Sequence, residues 1–278
     1  MPNSAIIDWS AWLKSPAGRY AFRWETTLVD QWVGDLFGYH ALQLGNYELN
    51  TLRENRISCR TLVLNTSQSP KTSVEPSPNA PSYEPTPQSI LVSHFHELPI
   101  ATTSIDLVVL PHTLEFAENP HAILREVERI LVPDGKVIIT GFNNLSLWSA
   151  REKLGHLTGI PFLPPGADLI AFTRIKDWLK LLNFEIDRGR FGCYRPPLRG
   201  IGWLERFAFI EKIGDRWWPI FGALYAVRAV KRVHSMRLVG KIRKGILALQ
   251  PATSSVHVSN TSHTTKPQNP LLKISEKC

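Results

Sequence analysis

The apolar positions of the chain change period several times, most clearly between Ile105 and Asn143. Ile105 to Leu110 (IDLVVL) is a short run rich in Val, Ile and Leu, bounded by Ser104 and Pro111. It has the pattern of a strand buried on both faces. Ile123, Leu124, Val127, Ile130 and Leu131 then recur at helical spacing, with Arg125, Glu126, Glu128 and Arg129 on the other side. Asn119 is placed to cap that helix and Pro120 to occupy its first position. Pro133-Asp134-Gly135 reads as the turn that stops it, and Lys136 to Thr140 as the next strand. Strand, helix and strand make a βαβ unit, hence a parallel sheet with helices on its faces.

Before this unit, Trp24, Leu28, Trp32 and Leu36 fall at four-residue steps and predict a helix from about Phe22 to Phe37, with Ser15 to Arg19 as a loop ahead of it. Its tryptophans suit aromatic core packing, with ligand stacking as the alternative. Tyr39 to Leu44 reads as a strand ending at Gly45, followed by a weakly helical stretch to Asn55 and a strand from Arg60 to Leu64. Residues 65–88, rich in Ser, Thr, Asn and Pro, cannot bury enough apolar surface to order themselves and are expected to be a disordered insertion. Ile90 to Ser93 gives a third strand. After the βαβ unit come an amphipathic stretch from Leu145 to Leu157, a proline-rich loop at 160–166 and a helix from Thr173. Strands follow at Phe184 to Tyr194 and Leu224 to Val233, with a polar tail over 251–278.

Composition narrows the class. Apolar residues make up 43% of the 278 and charged residues 20%, enough for a sizeable core. The formal charge is +8, concentrated between Arg228 and Lys244, where seven cations stand without an acid. A solvated basic face is one reading of that segment; a weak anionic partner, nucleic acid or lipid, is the other. Cys59, Cys193 and Cys278 stand far apart with no metal or redox spacing, as in a reducing compartment. The start of the chain lacks the pattern of a signal peptide, and the longest apolar run, Trp217 to Val227, is too short to span a bilayer and contains Pro219. A soluble, cytoplasmic protein with no transmembrane segment is expected.

Taken in order, the segment HELPIATTSIDLVVLPHTLEFAENPHAILREVERILVPDGKVIITGFN resembles the type 11 domain of the class I S-adenosylmethionine-dependent methyltransferases. The family shows the same succession: an LPF, an FD with an apolar strand, a loop, PxxxLxExxRVLxPGG and a strand. RIKDWLKLLNFEI is similar to the helix and strand near the end of that fold. The resemblance implies a doubly wound, mostly parallel seven-stranded α/β sheet of Rossmann-like type. It divides the chain into a Trp-rich helical extension over 1–37, a methyltransferase-like domain over 38–233, a basic helical segment over 234–250 and the tail.

It also implies S-adenosylmethionine as cofactor, bound beyond the carboxyl ends of the strands by Gln43, Gly45, Asn46, Asn65, His94, Phe95 and Pro111. The departures are specific. The family's acid-x-Gly-x-Gly-x-Gly is here Gln43-Leu44-Gly45-Asn46-Tyr47-Glu48-Leu49, so one glycine survives. The acid after the second strand is Asn65, and the one after the third falls on His94. In the loop after the fourth strand, His112 faces the methyl position as a general base and Glu115 as a substrate contact. The alternatives are a loop histidine bonded to nearby backbone and a solvated glutamate. Asn143 and Asn144 read as contacts to a polar substrate or as turn residues, and His94 with His96 lacks a third metal ligand nearby. Two functions result: a methyltransferase of unknown acceptor, or a methyltransferase-fold protein without cofactor that serves as a binding or scaffold module.

Overall fold

The computed structural model describes residues 9–65, 89–158, 162–197, 202 and 206–233. The expected insertion beyond Asn65, the basic segment from 234 and the tail lie outside these residues. The described residues belong to one compact unit spanning Met1–Ser235.

Two helices open it, α1 (Trp9–Lys14) and α2 (Pro16–Val33). Ser15 and Pro16 are a helix start and not a loop: Ser15 Oγ accepts from the Gly18 N–H at 3.0 Å, and Pro16 takes the first position, where its missing N–H costs nothing. The strands are β1 (His40–Leu44), β2 (Cys59–Leu64), β3 (Ser89–Val92), β4 (Ile105–Pro111), β5 (Leu131–Phe142), β6 (Phe184–Gly192) and β7 (Leu224–Lys231). They lie in the order β3-β2-β1-β4-β5-β7-β6, with β7 antiparallel to both neighbours and the other pairs parallel.

Between β4 and β5 runs α3 (Pro120–Ile130), capped by Asn119 on the Ala122 N–H at 3.1 Å. Leu131 enters the sheet at once. Residues 132–135 then bulge out, with Asp134 in the left-handed region, before Lys136 resumes the pairing with Leu107. The expected turn is therefore an excursion inside β5.

The alternation along β4 assigns the two faces. Leu107 and Val109 meet Leu28, Val29, Trp32 and Val33 of α2. Val108 and Leu110 meet Ile123, Leu124 and Val127 of α3, together with Ile175 and Leu179 of α5 (Phe172–Leu181). Each such aliphatic side chain stabilises the fold by about 1.5–3 kcal/mol on burial. A third cluster, over the carboxyl end of β5 and the amino end of β7, joins Trp9, Ala17 and Ala21 to Phe142, Leu224 and Trp148 of α4 (Leu147–Thr158). The Trp-rich extension thus packs as core.

Two expectations change. No helix follows β1: residues 46–55 form consecutive turns. The described cations of the basic stretch face inward or are paired: Arg228 grips Asp187 at 2.9 and 3.1 Å, Lys231 Nζ donates to the Glu128 and Leu131 carbonyls, and Arg232 pairs with Glu185 and Asp134. They offer little to an anionic partner. A helix that periodicity did not suggest, α6 (Phe209–Trp217), precedes a 3-10 turn at Pro219–Phe221. No described helix is long and apolar enough to cross a membrane.

Candidate active site

The carboxyl ends of the parallel strands present two chemically different groups. The first lies at β4. His112 follows Pro111 with φ +53°, a left-handed turn that is costly outside glycine and points its ring back beneath α2. The ring is buried, with Nδ1 2.9 Å from Glu115 Oε2 and Nε2 3.3 Å from Glu25 Oε2. Glu25 sits among Ala21, Leu28, Val29 and Trp32 on the buried face of α2, and Thr140 donates to its other oxygen. The second oxygen of Glu115 accepts from the Phe142 N–H. Trp9 and Phe142 close over the imidazole at ring-centre distances of 5.0 and 4.5 Å.

Burial alone would lower the imidazole's pKa, but the two carboxylates outweigh it and carry it from 6.5 up to about 10. Burial raises the Glu115 carboxyl, against the pull of His112. At neutral pH His112 is therefore an imidazolium with no lone pair to accept a proton, a geometry that does not suit a general base. Glu115 is not solvated. The Tyr225 hydroxyl is buried beside it without a hydrogen-bond partner, and a Cβ on Gly141 would lie 2.6 Å from both Glu115 Oε1 and that hydroxyl. Sequence reasoning missed Glu25, whose signal was a carboxylate within an apolar helical stripe.

The second group lies at β1. Gly45 has φ +79°, and its N–H donates to Val63 at 2.8 Å. Gln43, where the family carries its acid, holds its own loop: Nε2 donates to the Asn46 and Leu49 carbonyls at 2.8 and 2.6 Å. Its Oε1 accepts from the Thr51 N–H and hydroxyl at 3.0 and 2.7 Å. Tyr47 turns out to solvent and Leu49 turns in. Asn46 Nδ2 is buried with no hydrogen-bond partner.

Phe95 is buried, and its ring edge would lie 3.6 Å from a Cβ on Gly45, with Thr113 Oγ1 at 3.3 Å. The structure therefore brings Gly45 and Phe95 together and places Pro111, buried, at the end of β4. His94 is exposed beside His96, and Asn65 is half-buried at the end of β2. Asn143 is fully engaged, donating to the Ile220 and Gly222 carbonyls at 2.6 and 2.9 Å and accepting from Leu145, so turn chemistry accounts for it. Among the described residues no cluster of three metal-ligating side chains occurs.

A seven-stranded sheet in this order, with its loops of interest beyond β1 and β4, belongs with residues 50–139, which match the family described as a methyltransferase domain. Over that segment the chain resembles a methyltransferase domain. It is similar to the uncharacterized protein YafS of Escherichia coli, at 29% identity over 186 residues, 67% of this chain and 69% of that one. Its fold is that of an S-adenosylmethionine-dependent methyltransferase from Thermotoga maritima (TM-score 0.53, 16% identity, 81% of this chain and 95% of the other). The same holds for one from Archaeoglobus fulgidus (0.51, 15%, 76% and 94%).

Proposed function

We propose that the protein is an S-adenosylmethionine-dependent methyltransferase. The reading rests above all on Asn46 Nδ2, a buried donor without a protein partner beside the left-handed Gly45 at the end of β1. A buried amide nitrogen left unbonded costs about 1–3 kcal/mol, a cost that a polar ligand at that strand end would remove. Asn65 would accept a ribose hydroxyl, more weakly than a carboxylate, and Phe95 supplies an aromatic surface next to Gly45. These residues fit the adenosyl group in kind.

Such a cofactor would supply an electrophilic methyl on a sulfonium, open to attack by an acceptor's lone pair with the thioether, S-adenosylhomocysteine, as leaving group. The chain's share is placement and exclusion of water. Trp9 and Phe142 roof the end of β4. His112, locked between Glu25 and Glu115, is a positioning residue that ties the N-terminal helices to that roof.

A second reading, a methyltransferase-fold scaffold that binds no cofactor, is favoured by the Phe95 ring lying against Gly45 and by the closed set of bonds around Gln43. Calorimetry of the whole protein with S-adenosylhomocysteine separates the two. The enzyme reading expects saturable heat that weakens about tenfold or more in Asn46→Leu and vanishes in Gly45→Trp. No heat at millimolar ligand, with the protein shown folded by circular dichroism, leaves the scaffold.

A further inference from the structure

Helix α6 and the turn after it carry a feature that methyl transfer does not use. Phe209, Ile213 and Trp217 recur every four residues along one stripe, and Trp218, Ile220 and Phe221 continue it. All six are between 41% and 70% exposed, with the Phe207 ring 6.2 Å from that of Phe209. A contiguous exposed stripe with two tryptophans is costly in water and marks an interaction surface.

The helix cannot turn this stripe inward, because its other side is fixed. Gly214 lies against the Tyr194 ring, where a Cβ would come within 2.3 Å of the ring carbons. Glu211 accepts from the Tyr20 hydroxyl and, at 3.1 Å, from the Cys193 N–H. Charge is sorted in the same way. Lys212 and Arg216 are exposed and, by their helical positions, flank the apolar stripe, whereas Glu211 is engaged on the inner side. Asp215, the remaining acid of the helix, falls on the side away from Trp217.

We infer that this stripe docks on the surface of an anionic lipid bilayer. Phe209, Ile213, Trp217, Trp218, Ile220 and Phe221 enter the headgroup boundary, and Lys212 and Arg216 reach the lipid phosphates above them. Tryptophan is favoured at that depth because its ring is amphipathic. A protein partner would need only the apolar stripe; the cations ranged beside it complement a negatively charged plane. Asn143, at the end of β5, bonds the Ile220 and Gly222 carbonyls, so the docking surface adjoins the strand ends that carry the candidate site. The inference does not depend on the methyltransferase reading.

Flotation of the whole protein with vesicles of equal parts phosphatidylcholine and phosphatidylglycerol tests it. The protein is expected to float with these vesicles, less so as salt rises, and to bind pure phosphatidylcholine weakly. Trp217→Ser and Trp218→Ser each weaken binding about tenfold, the loss expected for one large apolar side chain. Lys212→Glu with Arg216→Glu abolishes the preference for the anionic lipid. These side chains are exposed, so the variants should keep the parent's melting temperature. Failure to float at any lipid concentration overturns the proposal, as does flotation insensitive to all of these substitutions. A dimer in sedimentation that Trp217→Ser disperses, with vesicles ignored, assigns the stripe to a second copy and also overturns it.

Discussion

The same edge of one sheet ends in two kinds of chemistry. At β4 three ionisable groups, Glu25, His112 and Glu115, are sealed under tryptophan and phenylalanine. At β1 the polar groups are amides, Gln43 and Asn46, with Asn65 at β2. One of them keeps a buried nitrogen unbonded. Carboxylates are thus missing at the end of β1 and sealed in at the end of β4. The difference teaches that charge on this edge serves to fasten an element distant in sequence, because a buried imidazolium between two carboxylates holds α2 across the end of β4. The amides, cheaper to bury, shape a local turn.

Breaking the ionic end should have the largest effect. His112→Gln leaves Glu25 and Glu115 buried without their cation, and urea unfolding should show a loss of about 3–5 kcal/mol. Gly141→Ala presses a methyl against Glu115 and Tyr225, for a loss of about 1–3 kcal/mol in the same assay. At the amide end, Gln43→Leu removes the partner of the Thr51 N–H and of the Asn46 and Leu49 carbonyls. A loss of about 1–3 kcal/mol is expected, with proteolysis appearing in residues 46–55 and not at β4.

The most gradual effect is a pH slope. Because His112 is raised from 6.5 to about 10, the folded state keeps a proton that the unfolded chain releases. Its contribution is complete below pH 6.5 and disappears as pH rises toward 10. Glu115, raised by burial, acts with the same sign from its lower starting point: its contribution is present in acid and lost as pH rises. Urea midpoints should therefore fall between pH 6.5 and pH 10 in the parent, and His112→Gln should flatten that fall.

What could be read from the sequence divides along the same line. The β4–α3–β5 unit was legible because its periods of two and 3.6 follow from burial alone, and Asn119-Pro120 announces its helix. The start of α2 was not: Ser15, Pro16 and Gly18 have loop composition, and only the order Ser-Pro reveals a cap. The turns after β1 escaped because one side chain, Gln43, bonds four backbone and hydroxyl groups, and no periodicity records that. Glu25 and His112 are 87 residues apart, and nothing local to either announces the other. Helix α6 is short, and its apolar positions face outward, which defeats a reading that equates apolar with core.

Amide hydrogen exchange with and without saturating S-adenosylhomocysteine tests the central claim, that the amide end of the edge receives a nucleoside while the ionic end stays shut. Slower exchange is predicted in residues 45–51 and 93–98, with 112–116 unchanged. Unaltered exchange over 45–51 in the presence of the nucleoside would contradict it.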